Sequence, residues 1–177
     1  ASEELMKEAT DVMERPKGAI GKPAEDEEIG FILRRRLFES VEESAADAAA
    51  EAHQLLYAAL ADQDIQVAQA TANPAAYCDR IRSTYPFHPA LIECLDKRIG
   101  PLPGFQRARG ALKLLAEAVA CLWSDKTDIP IINLGDLPLE ADQVRASVTS
   151  SIGRQELNGP AEADFAAEGS HSWVIDD

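Results

Sequence analysis

The chain has 177 residues, enough for one well-formed core and a small appendage. Apolar residues make up 46% of it, many of them alanine, and aromatic residues only 6%, which favours helices packed through small side chains over an aromatic-rich β-sandwich. With 17 basic and 31 acidic residues the net charge is −14, which argues against nucleic-acid binding unless the basic residues are gathered in one place.

Signals for membranes and for an oxidising compartment are missing from the sequence. No apolar run approaches the ~20 residues that a membrane span requires, and the start lacks the basic-then-apolar order of a signal peptide. Cys78, Cys94 and Cys121 form no C-x-x-C pair, as is typical of reduced thiols that fill core positions. We therefore expect a cytoplasmic protein without membrane contact. Because the chain starts with Ala1 and its last residues open a new apolar segment, we expect a piece of a larger protein.

The first part of the chain predicts a linker and two helices. Proline and glycine interrupt residues 1–24, which we interpret as a lead-in linker. Apolar residues at helical spacing then predict an amphipathic helix over 25–38, with three arginines near its end, as the helix dipole favours. Its core face is predicted to contain Ile29, Ile32, Leu33 and Leu37. The pattern Ser40-Val-Glu-Glu43 matches a capping box and predicts an alanine-rich helix to about Leu60.

Prolines mark the starts of the next helices. Asn73 followed by proline predicts a capped helix to about Thr84, and Pro89 predicts another that ends at Gly100. The longest amphipathic helix follows and ends near Trp123. Its core face is predicted to contain Ala108, Ala111, Leu112, Leu115, Val119 and Leu122.

The last part of the chain holds the one extended-looking stretch, residues 129–134. Pro130 limits this stretch to an edge strand or coil. A helix over 139–152 is predicted to stop at Gly153, and another over 160–168 lies in the acidic tail.

Together these elements predict an all-α, multi-helix bundle with at most one short edge strand. We divide the chain into the linker 1–24, a helical domain over 25–125 and an acidic helical or coil extension over 126–177.

The catalytic motifs of common enzymes are not found. Residues 18–23 resemble a phosphate loop, but the spacing is too short and a proline follows the lysine. The three histidines share no helix face and no metal-ligand spacing, which argues against a zinc site. His88 lies between two prolines, where a helix cap or an aromatic corner with Tyr85 and Phe87 is a better interpretation than catalysis.

Arg107 and Arg109 lie in the first turn of the longest predicted helix. The helix dipole is positive there, so a cation loses roughly 0.3 to 1 kcal/mol and an anionic partner is expected. Seven basic and three acidic residues between 79 and 113 also give this stretch a local charge of +4. The residues alone leave two interpretations open, an internal carboxylate or a bound phosphate.

Three segments carry a family resemblance: residues 27–39 (EEIGFILRRRLFE), 85–92 (YPFHPALI) and 104–116 (GFQRARGALKLLA). They resemble a bacterial and archaeal family of predicted AAA+ ATPases that is classified as a domain of unknown function. The resemblance covers about residues 25–145. Large members of this family lie in phage-defence loci, including bacteriophage-exclusion systems, so the resemblance implies a defence-related ATPase.

The resemblance implies that this chain is the helical lid that follows a P-loop core. Arg109 is similar to the sensor 2 arginine, which reaches the γ-phosphate, and Arg107 is the weaker candidate. Family members carry Thr at the position of Ala108, and they often carry Arg at the position of Lys113. The implied cofactor is ATP with magnesium in the parent protein. The chain alone lacks the core, so no activity and no tightly bound cofactor are expected of it.

The resemblance implies that the main partner is the missing core of the same protein, with a homo-oligomer as a further candidate. A competing interpretation is a non-enzymatic helical interaction module whose basic stretch docks an acidic protein. A third is a DNA-binding accessory domain, against which the acidic remainder and the lack of a clear recognition helix argue.

Overall fold

The computed structural model describes residues 24–165 except 104 and 106, without the side chains of 24–28, 68 and 107. The predicted linker therefore lies outside the described residues, apart from its last residue, as do the rejected phosphate loop at 18–23 and the chain beyond 165. The described part is mostly helical and contains no strand, which confirms the all-α prediction. Its helices are α1 (Ala24–Leu37), α2 (Glu43–Asp62), α3 (Ala68–Ala72), α4 (Pro74–Thr84), α5 (Pro89–Glu93), α6 (Arg107–Ser124), α7 (Asp142–Ser151) and α8 (Asn158–Phe165).

Shorter helical segments join these helices. α5 continues into a π-helical segment, Cys94–Ile99, so the helix predicted from Pro89 to Gly100 is present with a widened second half. Leu134–Asp136 and Gln155–Leu157 are single 3₁₀ turns.

The helix starts follow the sequence signals in some places and not in others. Asn73 caps α4, because its side-chain oxygen accepts a hydrogen bond from the Ala76 N–H at 3.1 Å. The capping box predicted from Ser40 is wrong, since α2 begins at Glu43 and its N-cap Glu42 makes no capping bond. The Glu42 carboxylate instead accepts a hydrogen bond from the Ser44 hydroxyl at 2.7 Å.

Two apolar clusters form the core. The first joins α1, α5 and its π-helical continuation, α6 and α7; its buried members are Leu33, Phe87, Leu91, Ile92, Leu95, Phe105, Ala111, Leu114, Leu115, Ile132 and Val144. The second joins α2, α3 and α4; its buried members are Ala50, Tyr57, Ala70, Tyr77, Cys78, Ile81 and Ile131. The alanines Ala46, Ala49 and Ala50 are buried along α2, and such small side chains let a neighbouring helix approach closely.

Residues 131 and 132 connect the two clusters. Ile131 is buried in the second cluster and Ile132 in the first. The predicted edge strand is reduced to one parallel bridge between Phe87 and Ile132, in which the His88 N–H donates to the Ile132 carbonyl at 2.9 Å. Because Ile132 and Val144 belong to the first cluster, this core continues across the predicted boundary between residues 125 and 126.

The buried faces of α1 and α6 differ from the predicted faces. On α1, Leu33 is buried but Ile32 is 38% exposed, and Arg36, which borders the predicted apolar face, is exposed. On α6, Leu114 and Ala118 are fully buried although neither was expected in the core. α6 contacts both α1 and α7, so its covered face is wider than a single stripe of helical spacing.

Candidate functional site

Arg109 lies in the first turn of α6, on a surface shaped by a close contact between Phe105 and Gly110. Phe105 is buried, and its ring packs against the helix at Gly110. A Cβ at Gly110 would lie 2.8 Å from that ring, so only glycine allows the ring to approach so closely. The contact between Phe105 and Gly110 therefore holds the chain close to the first turn of α6, where Arg109 lies.

Arg109 lines an open groove between α6 and α7 with a volume of about 520 Å³. One wall is α6, which contributes Arg109 and, one turn later, Lys113. The other wall is the last turn of α7, which contributes Ser150 and Ser151. Phe105 adds apolar surface to the groove, together with other carbon-rich side chains of α6. A volume of this size is typical of ligand-binding clefts.

The guanidinium of Arg109 has no anionic partner within the described part of the chain. It is exposed and forms neither an ion pair nor a side-chain hydrogen bond with any described residue. The internal-carboxylate interpretation therefore finds no support at Arg109. The side chain of Arg107 lies outside the described residues, so its role stays a prediction.

Several other basic residues of the +4 stretch have acidic neighbours in the same chain. Arg82 bonds to Asp47 at 2.8 Å and to Asp79 at 2.9 Å. Lys97 lies 2.8 Å from Glu93, whose second oxygen is 3.9 Å from Arg80. The positive charge of this stretch is therefore partly neutralised at these residues.

Arg145 was not identified from the sequence, and its side chain is only 3% exposed. Its guanidinium donates to the carbonyls of Leu139 and Glu140 at 2.9 and 3.1 Å and to Asp142 at 2.5 Å. Arg145 thus has the internal bonding that was one of the two interpretations for Arg107 and Arg109. The sequence around Arg145, near the start of α7, contains no pattern that distinguishes a buried arginine from a solvent-exposed one.

His88 caps α5, as predicted. Its Nδ1 accepts a hydrogen bond from the Ala90 N–H at 3.2 Å, so the proton of the neutral ring lies on Nε2, which donates to the Tyr57 hydroxyl at 2.9 Å. The ring packs in tilted contacts with the rings of His53 and Tyr77, rather than in the predicted corner with Tyr85 and Phe87.

The stability of the fold is expected to depend on the titration of His88. Burial, His53 and Arg80 lower the pKa of His88 from 6.5 to about 4, so the folded state disfavours the protonated ring. The contribution is fully present above pH 6.5 and is lost as the pH falls towards 4, with a size of about 3 kcal/mol. Tyr57 and Tyr77 also face the ring, and burial raises the pKa of both hydroxyls, so they stay neutral in this range.

Urea unfolding of wild type and His88→Asn at pH 7 and pH 4.5 checks this expectation. Asparagine retains an N-cap acceptor without a titrating ring, so the variant is expected to lose less stability on acidification than the wild type. An equal loss in both proteins would assign the acid sensitivity to carboxylates elsewhere.

Within the described residues, no group of three or more His, Cys, Asp and Glu side chains is arranged to hold a metal ion. The three free cysteines lie apart, with Cys78 buried and Cys94 and Cys121 partly buried.

None of the helices in the described region combines the length and apolar character that crossing a bilayer requires.

Most of the described chain, including the groove, lies within a segment that matches a known protein family. The sequence model of the family called DUF499 second domain, a domain of unknown function, matches residues 24–154. The chain belongs to the DUF499 second-domain family. No curated protein and no solved structure matches this chain. The family match includes every residue that lines the groove of this DUF499 second domain, from Phe105 to Ser151.

Proposed function

We propose that this DUF499 second domain is the helical lid of a larger P-loop ATPase, in which Arg109 contacts the phosphates of a nucleotide held by the core. The observation that carries the proposal is the exposed guanidinium of Arg109 in an open groove, without an acidic partner among the described residues. A cation in the first turn of a helix is unfavourable unless an anion arrives. The proposed function supplies that anion.

Arginine has the properties that this role requires. A guanidinium stays charged at every physiological pH and presents a planar fork that matches phosphate oxygens. Once the core covers the groove, the apolar side chains beside Arg109 would lower the local dielectric constant and so strengthen its attraction to an anion. Magnesium ATP, when bound in the core, would supply the phosphoryl group that is transferred to water. Arg109 would orient that group and hold the lid closed, and loss of the contact would release the lid.

The competing interaction module has less support from the observed contacts. It requires a free basic surface for an acidic partner, yet Arg82 and Lys97 are close to carboxylates of the same chain. The same ion pairs argue against the DNA-binding alternative, because a cation that is neutralised by a carboxylate attracts a phosphate backbone less strongly. The lid proposal requires only that Arg109 be free.

The cellular setting belongs to the same proposal. The motifs resemble those of ATPases encoded in phage-defence loci, so we place the parent protein in the cytoplasm as a defence-related ATPase. Its partner would be its own P-loop core, and a second copy of the protein is a further candidate.

Photo-crosslinking tests the contact directly in the full-length protein. An ATP analogue with a reactive group on the γ-phosphate is expected to label α6, and Arg109→Gln is expected to reduce this labelling severalfold. Arg98→Gln is the matched control, because Arg98 is also exposed and has no acidic partner among the described residues, but it lies outside the groove. Labelling that never reaches α6 would contradict the lid role.

A further inference from the structure

We infer that the groove is a two-walled polyphosphate site, in which Lys113 on α6 and the Ser150 and Ser151 hydroxyls on α7 contact the anion together with Arg109. The inference rests on the proposed function for its choice of ligand, but it assigns three further contact residues. It also implies that this chain binds a polyphosphate without the core.

Lys113 is placed to act with Arg109. The two residues are four apart on α6, so their Cβ atoms lie about 5–6 Å from each other on one helix face, and both line the groove. The Lys113 ammonium is 4.0 Å from Glu117, at the outer limit of an ion pair, and its side chain is 70% exposed. It is therefore free to turn towards an anion in the groove at little cost.

The last turn of α7 provides the opposite wall. Ser150 and Ser151 line the groove, and their hydroxyls are able to donate hydrogen bonds to phosphate oxygens. α7 is fixed in this position because Val144 is buried in the same cluster as Leu114 and Leu115 of α6. The positions of the two walls are therefore set by the core and do not depend on a ligand.

The charge of the groove departs from that of the whole chain. Acidic residues outnumber basic ones by 31 to 17 in the sequence, yet the groove is lined by Arg109 and Lys113 and by no carboxylate of the described residues. Two like charges at this spacing on one helix face repel each other, and Glu117, which pairs with Lys113 at 4.0 Å, does not line the groove. An anion that bridges Arg109 and Lys113 would lower this repulsion.

Spacing and shape favour a polyphosphate over a single phosphate. Two cations one helical turn apart, with two serines on the opposite wall of a groove of about 520 Å³, match an extended anion with several phosphoryl groups. A single phosphate ion reaches fewer of these donors at once. The apolar surface of Phe105 and its neighbours leaves room beside the anion for an uncharged moiety such as a nucleoside.

Titration of the ¹⁵N-labelled 177-residue chain with inorganic tripolyphosphate tests the inference. Saturable shifts are expected at the backbone amides of Gly110, Lys113, Ser150 and Ser151, with weaker binding of inorganic phosphate and weaker binding in higher salt. Lys113→Gln is expected to weaken tripolyphosphate binding about fivefold, since it removes one charge-assisted contact. The double substitution Ser150→Ala and Ser151→Ala is expected to weaken tripolyphosphate binding about threefold, since neutral hydrogen bonds contribute less.

Lys126→Gln is the matched control for Lys113→Gln. Lys126 is exposed and lies outside the groove, so this variant is expected to bind like the wild type. An equal loss in both variants would show attraction to net charge alone and would overturn the inference. Shifts confined to α6 would overturn the role of α7.

The outcome also separates this inference from the proposed function. If the isolated chain fails to bind tripolyphosphate while nucleotide still labels α6 in the full-length protein, the two-walled site is wrong and the lid role stands. If the isolated chain binds tripolyphosphate through both walls but the full-length protein never labels α6, the site stands and the lid role is wrong.

Discussion

Arg109→Gln in the full-length protein is expected to lower the rate of ATP turnover about 100-fold, while the stability of this domain stays unchanged. A single donor that stabilises the charge developing in a transition state typically contributes about 10²–10³-fold in kcat. Arg109 is exposed and has no bonded partner among the described residues, so its loss removes no hydrogen bond or ion pair from this part of the fold. Steady-state ATPase assays measure kcat, and thermal unfolding of the domain measures stability.

Two further variants sharpen this test. Arg109→Lys keeps the charge but loses the planar fork, so it is expected to recover only part of the lost turnover. Arg98→Gln removes the same charge from an exposed site outside the groove and is expected to retain wild-type turnover. Full turnover in Arg109→Gln would refute the proposed contact, whereas an equal loss in Arg98→Gln would reduce it to an effect of net charge.

The parts of the fold that the sequence predicted are those with local causes. The caps of α4 and α5 depend on Asn73 and His88 and on the proline that follows each of them. Gly153 adopts φ +68° where α7 was predicted to stop. These signals operate over a few residues and need no knowledge of the rest of the chain.

The wrong or missing predictions depend on contacts between distant segments. Ile32 fits the apolar spacing of α1 but remains 38% exposed, because the position of the neighbouring helices decides which side of a helix is covered. Leu114 and Ala118 are buried because α6 has covered surfaces on more than one side. Helical periodicity predicts which side of a helix carries the apolar stripe. It does not predict how much of the helix surface the neighbouring helices cover.

The candidate site divides in the same way. Arg109 could be singled out from the sequence, because a cation in the first turn conflicts with the helix dipole at its own position. Ser150 and Ser151 could not, because they join Arg109 only through the packing of α7 against α6, across about 40 residues of chain. Arg145 was missed because its bonds go mainly to main-chain carbonyls, which carry no sequence signature.

Arg145→Ala is expected to destabilise the domain by about 4 kcal/mol, the largest stability effect of any substitution considered. The side chain is 3% exposed, so its truncation leaves a cavity and loses about 0.8 kcal/mol for each buried methylene. The carbonyls of Leu139 and Glu140 lose a charged donor, which costs about 1 to 3 kcal/mol for each group that water does not reach. Urea unfolding measures the difference in the free energy of unfolding.

The desolvation of the buried Arg145 guanidinium makes the expected loss of stability smaller, since removing this charge from the interior also removes its desolvation penalty. Arg145→Met separates the two contributions, because methionine keeps much of the buried stem and loses only the bonds and the charge. We expect this variant to lose about half as much stability as Arg145→Ala. Arg154→Ala is the control on an exposed arginine, which bonds to Glu156, and is expected to cost less than about 1 kcal/mol. If Arg145→Met were as stable as the wild type, the hydrogen bonds from Arg145 would contribute no net stability, and packing of its stem alone would hold α7 against the preceding loop.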